Sequence, residues 1–216
     1  MVKQVIITRP YHDDETAYLH SFMKYIVNTG KNQSDIHLTD LEGKDATRKN
    51  LEINAREGAK LICLNGHGTA YEVKGHDNEP ILDKTNVAIT KGAIVHALAC
   101  DSLVKLGKQS VEYGARAYIG YSAQFMVSRD PARSSSPEKD KNALPIRKAC
   151  NITLITLLNG ESVQKAIDLT KREYKKLIKT YGNSEDDPYG DAAVIGFALT
   201  WNLSFLGFEG EGGARI

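Results

Sequence analysis

The sequence predicts an α/β protein, a three-layer α/β/α sandwich with a mostly parallel sheet, and two observations carry that prediction. Short β-branched apolar runs stop abruptly at polar or glycine residues, as strands buried on both faces do. Between them lie segments whose apolar residues repeat at helical spacing, and strand–helix alternation of this kind makes parallel strands joined by right-handed crossovers. With 216 residues, 41% hydrophobic and 25% charged, the chain suits one domain over 1–216.

The first strand is read from Val2 to Thr8, and Arg9-Pro10-Tyr11 breaks it. Asp13 and Asp14 supply capping chemistry for a helix whose apolar positions are Tyr18, Phe22, Tyr25 and Ile26, with Gly30 where a left-handed C-terminal residue is wanted. Asp35-Ile36-His37-Leu38-Thr39 is the second strand. Asp45 can cap a thin-faced helix to about Glu57, presenting Leu51, Ile53 and Ala55, and Gly58 leads into a third strand ending at His67. Thr69 to Thr90 is polar and reads as a long loop or small hairpin. The run Gly92 to Cys100 is the next strand. Asp101 and Ser102 then open a helix marked by Leu103, Leu106, Ser110, Val111 and Gly114.

Ala115 to Ser122 is a further strand, and Val127 to Lys141, rich in proline, serine and charge, is a flexible loop. Two long helices follow, one carrying Ile146, Ala149, Cys150, Thr153, Leu154, Leu157 and Leu158, the other Val163, Ala166, Ile167, Thr170, Tyr174, Leu177, Ile178 and Tyr181. After a turn-rich stretch from Gly182 to Gly190, Ala192 to Leu206 reads as one or two strands closing the sheet, and Gly210 to Ile216 as a frayed tail.

Two of the strands end in reactive side chains, His67 and Cys100. In open α/β sheets ligands bind beyond the carboxyl ends of the strands, so both residues can face one pocket. A thiol beside a helix N-terminus has its thiolate stabilised by the helix dipole and free N–H groups, which lowers its pKa toward neutrality, with Asp101 opposing. His96, inside an apolar strand, reads as core; Cys150 likewise; His76, in a polar loop, reads as solvated. Cys63, His67, His76 and Cys100 make a poor zinc set, because the cysteines lack paired spacing. No metal or cofactor is expected. Gly120-Tyr121-Ser122 lacks the second glycine of a serine nucleophile elbow, and the first strand is not followed by a glycine-rich phosphate loop.

A net charge of +1 offers no electrostatic reason for nucleic acid or an anionic membrane as partner. No apolar stretch approaches the roughly 20 residues that span a bilayer, and no leader segment is evident. Three cysteines without disulfide spacing fit a reducing compartment, and the expected location is cytoplasmic.

The run Leu64-Asn65-Gly66-His67-Gly68, followed by Ala97-Leu98-Ala99-Cys100-Asp101-Ser102 and by the strand from Gly114-Ala115-Arg116-Ala117 to Ser122, resembles the caspase-like cysteine peptidases, and most of all their CHAT, clostripain and gingipain branches. The resemblance extends to Leu157-Leu158-Asn159-Gly160 and to Tyr189-Gly190-Asp191. It implies the caspase-haemoglobinase fold and a cysteine endopeptidase acting on a protein or peptide substrate. Cys100 would be the nucleophile and His67 its proton-transfer partner, with the backbone N–H groups of Gly68 and Cys100 holding the oxyanion. No third member of a triad is evident. Relatives with basic specificity often carry an acidic residue two before the cysteine. Here that place is Leu98, so Asp101, Ser122, Gln124 and Asp130 become the substrate-binding candidates, with cleavage after Arg or Lys the expected preference. Arg129, Arg133, Lys139 or Lys141 would then be autoprocessing sites. Calcium is not called for, and control by a separate regulatory subunit is an expectation. The alternative from another class is a catalytically silent domain of the same fold that binds a partner protein.

Overall fold

The computed structural model describes residues 2–181 and 191–216. Its first half runs β1 (Lys3–Arg9), α1 (Asp14–Lys31), β2 (Ile36–Glu42), α2 (Arg48–Ala55) and β3 (Leu61–Asn65), then a hairpin of β4 (Glu72–Lys74) and β5 (Pro80–Asp83), and β6 (Ile94–Leu98). The second half adds a π-helical turn at Leu103–Gly107, α3 (Lys108–Glu112), β7 (Ala117–Tyr121), α4 (Leu144–Leu158), α5 (Val163–Tyr181), α6 (Ala192–Phe205) and β8 (Leu206–Gly210). The main sheet has the order β2-β1-β3-β6-β7-β8. Its first five strands are parallel, and β8 closes one edge antiparallel to β7.

Strand alternation divides the core into two layers. Val5 and Ile7, Leu61 and Cys63, Ile94 and Leu98, and Ala117, Ile119 and Tyr121 point to one face, where α1, α4, α5 and α6 pack. Ile6, Ile62, Leu64, Val95, Ala97 and Tyr118 point to the other, covered by α2, the hairpin and the π-helical turn. This three-layer arrangement is what the alternation of strands and helices requires. Cys150 lies buried in α4 and His96 in β6, both in core positions; burial holds His96 near a pKa of about 4, so it is neutral.

Several elements differ from expectation. Ala192–Phe205 is a helix, not a strand pair: Ile195, Ala198, Leu199 and Asn202 form its buried stripe. The opposite face carries Val194 and Phe197, both 56% exposed, and a tilted stack of Phe197, Trp201 and Phe205. Apolar residues on both faces hide the helical period and imitate a buried strand. The closing strand begins only at Leu206, and the tail docks rather than frays, with Ala214 buried and its carbonyl accepting from the Val163 N–H.

Gly30 lies within α1, which ends at Lys31 with Asn32 as its cap; a side chain there would meet the Leu38 side chain of β2. The second helix is shorter than expected. Thr47 caps it, Ile53 is exposed, and Asp45 belongs to a preceding 3₁₀ turn. Residues 127–141 form two 3₁₀ turns pinned by buried Asp140, whose carboxylate accepts from the Tyr18 hydroxyl and from the Asp130, Asn142 and Ala143 N–H groups. The turn read over 182–190, with Tyr189 and Gly190, lies outside the described residues. No described helix is long and apolar enough to cross a membrane.

Candidate active site

Three neighbouring strands of the parallel sheet, β1, β3 and β6, end on the same side, and the segments beyond them build one cleft of about 380 Å³. His67 stands two residues past β3 and Cys100 two residues past β6, and both line it. The end of β3 is tied to β1: the buried Asn65 amide donates to the Thr8 carbonyl at 2.7 Å. Backbone bonds clamp the histidine loop to the hairpin, with the Lys74 N–H donating to the His67 carbonyl and the Thr69 N–H to the Glu72 carbonyl.

Gly68 explains the spacing of the two arms. A β-carbon there would sit 2.5 Å from the Cys100 carbonyl oxygen and 2.9 Å from the Ala99 side chain. Its lack of a side chain therefore serves contact with the backbone of Cys100 itself, in addition to any contact with a substrate.

The segment between β1 and α1 contributes what the motif reading missed. Asp13 caps α1, its carboxylate accepting from the Thr16 N–H and hydroxyl at 2.8 and 2.7 Å. The other carboxylate oxygen lies 2.8 Å from His67 Nε2. A carboxylate only accepts, so Nε2 carries the proton and the Nδ1 lone pair is left for chemistry. Burial alone would raise the Asp13 pKa, but the two Thr16 bonds and His67 outweigh it and hold the group at about 2. The signal was in the sequence: Asp13 follows the end of β1, and the strand-end rule that selected His67 and Cys100 applies equally there.

Cys100 is half-buried, and the Phe125 N–H donates to its sulfur at 3.3 Å. Burial pushes the thiol above its ordinary pKa, the Asp101 carboxylate adds to the rise, and the Phe125 N–H opposes it. This reverses the expected lowering. Asp101 takes a left-handed conformation (φ 55°), and a π-helical turn and a five-residue helix follow in place of a regular helix N-terminus, so the dipole is weak where the sulfur sits.

Of the four residues expected to contact substrate, only Gln124 lines the cleft. Ser122 lies against α6, its N–H donating to the Phe205 carbonyl; Asp101 lies outside the cleft lining; Asp130 caps a 3₁₀ turn on the surface. The cleft's carboxylate is instead Glu15, in the first turn of α1, paired with Arg129 at 2.9 Å. The wall carrying Gln124, Phe125 and Met126 is held by α6: Trp201 Nε1 donates to the Gln124 carbonyl, and buried Asn202 both accepts from and donates to the Met126 backbone. The helix misread as strands is therefore a support of the site.

The zinc set considered from sequence is not assembled, since Cys63 is fully buried inside β3. His76 is not free in solvent; its ring lies 5.6 Å from that of His12.

Fold and cleft together define an α/β protein of mostly parallel sheet with a histidine and a cysteine at neighbouring strand ends. Among solved structures, the chain is similar over 99% of its length to gingipain R, an Arg-specific cysteine proteinase, with a TM-score of 0.53 and 12% identity over 47% of that chain. It is similar over 99% of its length to a complex of Porphyromonas gingivalis RgpB pro- and mature domains, with a TM-score of 0.55 and 10% identity over 48% of that chain. The chain thus spans about half the length of these structures, and the likeness is one of fold. No protein-family model and no curated protein sequence matches it.

Proposed function

We propose that the chain is a cysteine endopeptidase. One observation carries the reading: Cys100 and His67 share a cleft, and a carboxylate already holds the His67 imidazole by Nε2. The Cys100 sulfur attacks a peptide carbonyl carbon as its proton passes to His67 Nδ1, and the new oxyanion is met by the Gly68 and Cys100 N–H groups. Collapse breaks the C–N bond, and the leaving amine takes the proton from His67. Water then cleaves the thioester with His67 as base, which regenerates the thiol. Because burial favours the neutral thiol, proton removal belongs to the attack step and not to a standing thiolate.

Cleavage after Arg or Lys is the preference that Glu15 supports. A substrate guanidinium or ammonium would take the place that Arg129 holds against it. The similarity to an Arg-specific proteinase points the same way. A reading from another class, a silent binding module, draws on the Cys100 sulfur's bond to Phe125 and its raised pKa.

Intact mass after incubation with peptide ketone probes bearing Arg, Lys, Asp or Asn separates the two. The expected result is one adduct on Cys100 with the basic probes, lost in Cys100→Ala and weakened roughly tenfold in Glu15→Gln. No adduct with any probe in a folded sample would turn the reading to the silent module.

A further inference from the structure

His12 has no role in that chemistry and is the least satisfied polar side chain near it. Its side chain is 10% exposed, yet neither ring nitrogen makes a hydrogen bond. A buried imidazole costs free energy unless its nitrogens find polar partners. Its ring lies near two others, 6.3 Å from His67 and 5.6 Å from His76.

The ligand atoms of His12, Asp13 and His67 all lie within 4.8 Å of one another. His12 Nε2 is 3.4 Å from Asp13 Oδ2, and His67 Nε2 is 2.8 Å from the same oxygen. Two ligands of a tetrahedral zinc ion, each about 2.0–2.1 Å from it, stand about 3.3 Å apart. The His12–Asp13 pair has that separation already, and the His67–Asp13 pair reaches it by opening about half an ångström as the ion replaces the shared proton. Two imidazoles and one carboxylate suit a borderline divalent ion, with water as fourth ligand.

We propose that His12, Asp13 and His67 form an inhibitory Zn²⁺ site, a regulation that rests on the peptidase reading above. Zinc on His67 Nε2 displaces the proton donated to Asp13. The neutral ring then carries its one proton on Nδ1, so it has no lone pair with which to take the Cys100 proton. The ion also uses the Asp13 charge that would stabilise a protonated His67. Metal and turnover thus compete for the same two side chains. His12, His76 and Asp77 form a second trio that shares His12, but Asp77 is 72% exposed and would have to be ordered first.

The test uses the full chain. Co²⁺ is followed by its visible absorption and Zn²⁺ by competition with a chromophoric chelator, and neither readout involves turnover. One equivalent should bind, weakened by more than about 100-fold in His12→Ala, Asp13→Asn and His67→Ala, since even an outer-shell partner is worth up to about that factor. Asp13→Asn retains a capping residue, which keeps α1 intact. Binding should persist in His76→Ala and Cys100→Ala. Zn²⁺ should slow adduct formation on Cys100 in the natural chain, and chelation should restore it, whereas the ratio of rates with and without Zn²⁺ should approach one in His12→Ala. Undiminished binding in His12→Ala, or binding that depends on Cys100 or His76 instead, overturns the site. A cobalt spectrum that obeys the expected pattern in a protein that no probe labels would overturn the peptidase reading alone.

Discussion

At the end of β3 the histidine is set among charge and fixed by hydrogen bonds, whereas at the end of β6 the cysteine is set among apolar side chains and backbone. His67 has Asp13 on its Nε2 and His12 beside it. Cys100 packs against the core layer of Leu98 and Phe125, with one N–H on its sulfur. The contrast separates two duties. On the proposed peptidase reading, one arm would keep a proton acceptor oriented, and the other would keep a half-buried thiol in its neutral form until substrate arrives. In such a design the rate depends on the histidine arm through electrostatics and on the cysteine arm through position.

The comparison is broken most directly at its ends. Cys100→Ala should abolish adduct formation altogether, and His67→Ala should slow it by roughly 10²–10⁴-fold, the range of general acid–base catalysis; intact mass against time measures both. Equal rates with and without His67 would show that the arms do not cooperate.

Gly68→Ala tests position. Its methyl group would meet the Cys100 carbonyl at 2.5 Å, so the two arms must part. A displacement of that order costs about 10²-fold in rate, and the melting temperature should fall with it, since backbone lies on both sides of the contact.

Asp13→Asn tests charge. Asparagine caps as well as aspartate, so thermal unfolding should be nearly unchanged. The adduct rate should still fall by about 10–100-fold, as when a partner that orients a working histidine is removed. Asp13→Ala should show the same loss plus about 1 kcal/mol of stability, from the missing cap.

The smallest effect concerns the cysteine's own charge environment. Burial and Asp101 both favour the protonated thiol, so alkylation of Cys100 by iodoacetamide should rise with pH to a midpoint above that of an ordinary thiol. Asp101→Asn removes a negative charge that repels the thiolate, and its midpoint should therefore move down. A midpoint that stays or rises would show that Asp101 does not act on the sulfur.

Much of this molecule was legible in its residues. Ile6 and Ile62 against Ile7 and Cys63 show the two-residue alternation of a sheet covered on both sides, and all seven positions that helical spacing selects in α4 are buried, as are Val163, Ala166, Ile167, Thr170 and Tyr174 in α5, while Leu177, Ile178 and Tyr181 are only partly so. His67 and Cys100 were found because each ends an apolar run. Ala192–Phe205 was not legible, because Phe197 and Trp201 on its outer face are as apolar as Leu199 on its inner one, and periodicity needs a contrast.

By itself the sequence determined the layered fold, the order of its strands and helices up to α5, and which two strand ends carry reactive side chains, because these follow from local patterns of apolar residues. Tertiary structure alone decided the company those side chains keep. Asp13 reaches His67 across 54 positions, and Asn202 holds the Met126 backbone across 76. The buried His12 ring comes near both His67 and His76 with no hydrogen bond at either nitrogen. Glu15 lines the cleft, and burial raises the thiol's pKa where a helix dipole was expected to lower it. Such pairings arise when distant strand ends and helices are laid side by side, and no local pattern encodes which residues of distant segments then meet.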